Sequence, residues 1–325
     1  MNDPKAMPIL DRIVRHLGSN TVTVLSFHKV PQKIDPLVPS DTAFAQFEQI
    51  LDVVMDCCTV VPLADVAAGL RNSTVPKNAA CITFDDGYDG WLQRIAPVLL
   101  RRNAHATFFL TTGQFDGVPM WHERTIEAVR SCKSTALQVP GIDMPIFQMH
   151  HLKGQIACIA WLQHYLKYQP IENRNAVLLT LEAICGLDSS ALKCMAASDA
   201  RVLHSKGFAI GSHTVNHPIL TKTTMSEAAA EIGGARDYLE GLIAGQVNSL
   251  AYPNGRPNTD FLSEHIALVR RAGYTHAVTT QAGVVRSGTP IYQIPRFTPW
   301  GPGRTRMLAQ LLRNQTSHMK TLSES

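Results

Sequence analysis

The chain has 325 residues, 30 basic against 26 acidic, for a net charge of +4. Hydrophobic residues make up 45% and charged residues only 17%, below the roughly 25% of an average soluble protein, so one large or two small domains with a substantial core are expected. The weak charge, with no Lys/Arg run and no interleaved aromatic stripe, argues against a nucleic-acid partner, and no apolar stretch of about eighteen residues provides a transmembrane span.

Asp3, Lys5, Asp11, Arg12 and Arg15 interrupt the first residues, so no apolar core of a secretion signal fits there. The seven cysteines contain no C-x-x-C pair and read as reduced thiols of a cytoplasmic protein. Ile9, Leu10, Ile13, Val14 and Leu17 recur at helical spacing, predicting a short amphipathic helix docked on the domain. Residues 21–27 read as a buried strand ending at His28. Thr42 caps a helix to about residue 55, with Phe44, Phe47, Ile50 and Leu51 on one face.

Residues 79–84 form a second predicted strand, terminated by Asp85-Asp86-Gly87, and 91–101 a helix. Residues 106–110 and 208–211 are further strands, the latter leading into Ser212-His213. A long helix covers 225–243, with Glu227, Glu231, Arg236 and Glu240 at its polar positions. Residues 248–252 form a strand stopped by Pro253-Asn254-Gly255; a helix at 262–272 and short strands at 277–279 and 292–294 follow. Between about 115 and 200 the strand pattern fades into helices at 121–129, 155–168, 175–184 and 190–201, either an inserted helical segment or one large lid. The polar tail from about residue 315 is expected to fray. Strands alternating with helices indicate a single α/β domain built on a parallel sheet. The polar candidates fall at C-terminal strand ends, where α/β barrels carry their sites.

Adjacent residues leaving a strand point in different directions, so one carboxylate of Asp85-Asp86 can bind a metal while the other faces its water; Gly87 permits the tight turn. A strand-ending turn or a helix N-cap is the plain alternative. His213 and His217 share a face if their segment is helical. Neutral imidazoles suit Zn²⁺, and three protein ligands leave a position open for water; one solvated and one packed histidine is the other reading. Residues 250–255 read as a strand end aiming a backbone N–H into the site, or as a Pro-Gly turn. Jointly these features indicate a hydrolase that activates water at a metal.

Thr83-Phe84-Asp85-Asp86-Gly87, Ser212-His213-Thr214-Val215-Asn216-His217-Pro218 and Leu250-Ala251-Tyr252-Pro253-Asn254-Gly255 resemble the first three motifs of the polysaccharide deacetylases, the NodB-homology group or carbohydrate esterase family four. Residues 106–110 and Gly273-Tyr274 also match, and the resemblance runs from about 21 to 299. It implies a distorted (β/α)7 TIM-like barrel and a divalent metal, usually Zn²⁺, with Co²⁺ or Ni²⁺ possible at an Asp and two His. It casts Asp86, His213 and His217 as ligands, Asp85 as general base and the Tyr252 N–H as an oxyanion donor. The substrate implied is a carbohydrate carrying N-acetyl groups, in a polysaccharide, a glycolipid or a precursor.

The chain departs from the commoner pattern at two places. Many members place the acid histidine in a Leu-x-x-His-like motif on a late strand; nothing after Pro295 offers that, and His318 lies in the polar tail. Instead Leu25-Ser26-Phe27-His28 resembles the early histidine motif of the exopolysaccharide branch, which gives His28 that role. The arginine that many relatives carry before the Tyr-Pro pair is missing, and Arg296, after the last predicted strand, is the candidate to hold Asp85 ionised. Trp121 and Trp300 are candidate sugar-stacking surfaces; His150, His151 and His164 read as surface residues. A hydrolase of another acyl or cyclic amide substrate, or a non-catalytic carbohydrate-binding relative, are the competing readings.

Overall fold

Val22–Phe27 (β1) is buried at every position, the continuous apolar run of a parallel strand covered on both faces. The computed structural model describes residues 20–115, 117, 119–317 and 319–323, so the amphipathic helix expected before residue 18 lies outside it. Helix α1 (Phe44–Cys57) buries Phe47, Ile50, Leu51 and Val54, the stripe its spacing predicts. Strand β2 (Thr59–Val60) and helix α2 (Leu63–Asn72) follow; neither was expected, because two residues make no pattern and α2 is rich in small residues. Strand β3 (Ala79–Asp86) leads through a π turn at Trp91–Ile95 into helix α3 (Ala96–Arg101), and β4 is Thr107–Leu110.

The insertion holds helix α4 (Trp121–Ser131), an antiparallel pair β5 (Ala136–Leu137) and β6 (Phe147–Gln148), and helices α5 (Leu152–Lys167) and α6 (Ile171–Cys185). It has a core of its own, in which Ile126, Val129, Leu162, Leu166, Leu178 and Leu181 pack together. Each such buried side chain stabilises by about 1.5–3 kcal/mol. Helix α7 (Ala197–Ser205) packs on β7 (Ala209–Ser212), and α8 (Met225–Ile243), β8 (Ser249–Ala251), α9 (Ser263–Arg271), β9 (His276–Val278) and α10 (Arg304–Gln315) complete the order.

The main sheet is parallel, in the order β1-β3-β4-β7-β8-β9, with β2 beside the start of β3. It curls into a distorted (β/α) barrel. The expected strand at 292–294 is reduced to a bridge from Ile294 to Val278, and Phe297 bridges Leu25. Residues 294–297 thus span from β9 to β1 through the bonds Thr279 N–H to Ile294 O at 2.8 Å and Phe297 N–H to Val24 O at 2.7 Å. Val22, Val24, Ala79, Cys81, Phe109, Ala251, Val278 and Ile294 share one buried cluster, while Leu25, Phe27, Ala80, Ile82 and Phe84 pack with the helices. This is the period-two alternation of a strand.

The tail expected to fray from about residue 315 is instead tied down. Lys320 and Leu322 exchange backbone hydrogen bonds of 2.6–2.9 Å with the side-chain amides of Gln281 and Gln293. A glutamine amide offers both a donor NH₂ and an acceptor oxygen, so it pairs with a polar tail as a strand edge would. Among the described residues no helix is long and apolar enough to cross a membrane.

Candidate active site

The pleat of β3 separates the two aspartates. Asp85 continues the face of Cys81 and Thr83. Asp86 follows on the other face and turns left-handed, with φ 88°, before Gly87 at φ 91°. The residue types suit this conformation, since Asp tolerates it better than most and Gly adopts it freely. Asp85 accepts both Nη groups of Arg296, each at 2.6 Å, in a fully buried bidentate pair. Arg296 also donates to Thr279 O at 2.9 Å and to Thr83 Oγ1 at 3.2 Å. Burial alone would raise the Asp85 pKa, but the Arg296 charge outweighs it and holds the carboxyl below its ordinary value. His28 Nε2 stands 3.9 Å from Asp85 Oδ2, and its side chain is 44% exposed at the cleft mouth. The Trp91 indole fixes its backbone with a 3.2 Å bond to His28 O.

Asp86 Oδ1 lies 3.4 Å from His213 Nε2 and 3.6 Å from His217 Nε2. Two ligands about 2.0–2.1 Å from one tetrahedral ion lie about 3.3 Å apart, so these atoms are spaced to hold a single divalent cation. His213 Nδ1 bonds Ala251 O at 2.7 Å, which leaves Nε2 facing Asp86. Burial opposes charge on His213, yet its contact with Asp86 raises its pKa; burial and the neighbouring His213 push His217 well below the ordinary value. For Asp86, burial works against ionisation, and the contact with His213 overrides it and keeps the carboxyl strongly acidic. The residues present therefore offer a cation one carboxylate and two imidazole nitrogens.

The histidine pair does not ride on a helix, as its spacing suggested. Residues 213–217 form a loop in which Thr214 (φ 66°) and His217 (φ 53°) are left-handed, and the two rings meet with centroids 4.7 Å apart. Two tight reversals replace one helical turn. The Thr111 hydroxyl bonds His213 O, and the Thr112 and Gly113 N–H groups bond Thr214 O and Val215 O, at 2.8–3.4 Å. Glu231 of α8 accepts the Val215 and Asn216 N–H groups at 2.9 and 2.7 Å. Arg174 of α6 donates to Asn216 O at 3.0 Å and His217 O at 3.5 Å.

A cleft of about 480 Å³ opens over these groups. Trp121, His122 and Glu123 from the insertion form one wall, with Asp85, Asp86, His213 and His217 at the base. His122 sits 4.0 Å from Asp86 Oδ2 and shares a 2.6 Å hydrogen bond with the Tyr88 hydroxyl. Asp41, buried enough that its pKa rises to about 6, also lines the cleft. His164, expected at the surface, is exposed on the same wall. Trp300 does not line it; that ring is 55% exposed and stacks on the Arg306 guanidinium at 5.3 Å. The Tyr252 N–H, cast as an oxyanion donor, is engaged with Val278 O at 3.2 Å as part of the β8–β9 ladder. Glu231 and Arg174 escaped the sequence reading: helical spacing placed Glu231 on a polar face, and nothing local distinguishes Arg174 from a surface arginine.

A family profile described as polysaccharide deacetylase matches residues 72–135 and 163–277, together more than half of the chain. Among solved structures, the Streptococcus pyogenes deacetylase PplD in complex with acetate is 16% identical, with a TM-score of 0.61 over 90% of this chain and 99% of that one. IcaB from Ammonifex degensii is 16% identical, with a TM-score of 0.58 over 90% and 97%. BC0361, a polysaccharide deacetylase from Bacillus cereus, is 15% identical, with a TM-score of 0.57 over 90% and 69%. At these identities the likeness speaks to the fold. No curated protein matches the sequence.

Proposed function

The chain belongs to the polysaccharide deacetylase family, and on that premise we propose that it is a metal-dependent hydrolase releasing acetate from an N-acetylated amino sugar in a polysaccharide, glycolipid or precursor. The observation that carries this reading is the division of labour in Asp85-Asp86. One carboxylate is locked to Arg296 and the other faces two imidazoles. Asp86, His213 and His217 would hold a divalent cation, Zn²⁺ foremost and Co²⁺ or Ni²⁺ as alternatives, which when bound supplies Lewis acidity and makes water acidic enough to ionise near neutral pH.

Asp85, kept anionic by Arg296, takes the proton of the attacking water. His28, across the cleft mouth and 3.9 Å from Asp85, donates a proton to the departing amine, whose anion is otherwise a very poor leaving group. Use of the Tyr252 N–H for the oxyanion requires exchange of its bond to Val278 O. Trp121 offers a ring face to the sugar from the insertion side. The seven cysteine thiols suit a reducing compartment, which favours a cytoplasmic substrate not yet exported.

The test is acetate release from N-acetylated oligosaccharides before and after exhaustive chelation, then after adding back Zn²⁺. Loss and recovery are expected; activity indifferent to metal removal ends the proposal.

A further inference from the structure

The two histidines of the candidate metal centre are held in different ways. His213 has the usual support, its Nδ1 bonded to Ala251 O at 2.7 Å. His217 Nδ1 is buried and has no protein hydrogen-bond partner among the described residues. A ligand histidine whose second nitrogen is not held lacks the contact that commonly fixes ring orientation. His217 is gripped by its backbone instead. Its N–H donates to Thr214 Oγ1 at 3.2 Å, and its carbonyl and that of Asn216 receive the two Nη groups of Arg174.

Arg174 is only 4% exposed. Among the described residues no carboxylate lies within ion-pair distance of it, and its guanidinium stacks on the Trp121 ring at 5.4 Å. Burial lowers its pKa to about 10, so it remains charged at neutral pH. Burying a cation against carbonyls alone is costly, and a planar fork that spans two successive carbonyls is a function lysine cannot reproduce. Glu231 takes the N–H groups of the same loop, so the turn bearing His217 is held by an acid from the barrel and a base from the insertion.

We propose that Arg174 is a positioning residue for the His217 ligand, so that the helical insertion is part of the metal centre and not only a wall of the cleft. The inference rests on the metal-dependent reading above. The test compares Zn²⁺ affinity, by competition with a chromophoric chelator, in the wild type, Arg174→Met, Arg174→Lys and Leu178→Ala, with Co²⁺ absorption spectra as a second readout. Leu178 lies in the insertion core, one turn beyond Arg174 on the same helix, so its truncation reports lost insertion stability.

Arg174→Met should bind Zn²⁺ about 10–100-fold more weakly, with an altered Co²⁺ spectrum. Arg174→Lys should fall between it and the wild type, and Leu178→Ala should keep wild-type affinity while folded. Should Arg174→Met not fold, the lysine variant carries the test. Wild-type affinity and spectrum in a folded Arg174 variant overturn the inference, as does equal weakening by Leu178→Ala. A wild type that takes up no metal at all instead fails the underlying reading.

Discussion

Asp85 is the residue on which the proposed chemistry turns, and its partner decides its state. Asp85→Asn should retain Zn²⁺ and lower acetate release by about 10²–10⁴-fold, the usual contribution of a general base; unchanged turnover removes Asp85 from that role. Arg296→Met leaves a buried carboxylate uncompensated, which typically costs about 3–5 kcal/mol, and should show as a lower midpoint in urea. The wild-type Asp85 pKa lies below its unfolded value of about 3.9. The pair's stabilisation is therefore present above about pH 4 and lost as the pH falls through the folded value. In Arg296→Met the acidic limb of the rate profile should move to higher pH. These residues were legible because each sits in a short motif at a strand end. Arg296 was the exception, identified by position alone. Glu231 and Arg174 were not legible, because their partners in the loop lie 15 or more residues away and an inward-facing glutamate has the same helical spacing as an outward one.

At the level of elements, the strand-end loops carry the site and the helices steady them. The loop at 213–217 was misread as helical because an i, i+4 pair of histidines is the spacing of one turn. Two left-handed residues bring the rings together by another route. Gly113 makes that route possible: a Cβ there would stand 2.7 Å from Val215 O, a backbone atom that cannot swing away. Gly113→Ala should therefore push the loop and weaken Zn²⁺ binding while leaving the helix-dominated far-ultraviolet spectrum intact; unchanged affinity would mean the loop tolerates displacement. The long elements α1, α8 and α9 were legible from periodicity, whereas β2 is too short to have a period and α10 lies where a polar, Arg-rich segment offers only a thin apolar stripe, Met307, Leu308 and Leu311.

For the whole molecule, the proposed ligands come from β3 and from the loop after β7, and their backbone support from β4, α6 and α8. Metal binding should then stabilise the entire fold. At a hundredfold excess over Kd a ligand adds about 2.7 kcal/mol, or roughly 4 °C for a chain of this size, measurable by calorimetry. The increment should shrink on acidification, because Zn²⁺ competes with the proton that Asp86 helps His213 retain. A midpoint indifferent to Zn²⁺ at neutral pH counts against the site. The parallel sheet and its polar rim were legible because strand–helix alternation is a chain-long pattern. The second core of the insertion and its β5–β6 pair were not, since two-residue strands leave no trace in composition.

The seam between β9 and β1 has a consequence for how the protein is handled. Arg296 lies on it, its N–H bonded to Gln281 O at 2.9 Å, and the same Gln281 is buckled by its side chain to Lys320, with Gln293 buckled to Leu322. The C-terminal strap thus lies one link from the guanidinium that keeps Asp85 charged. Clipping the chain after Ser317 should loosen the proposed general base before it unfolds the barrel, lowering turnover at a melting temperature that scarcely moves.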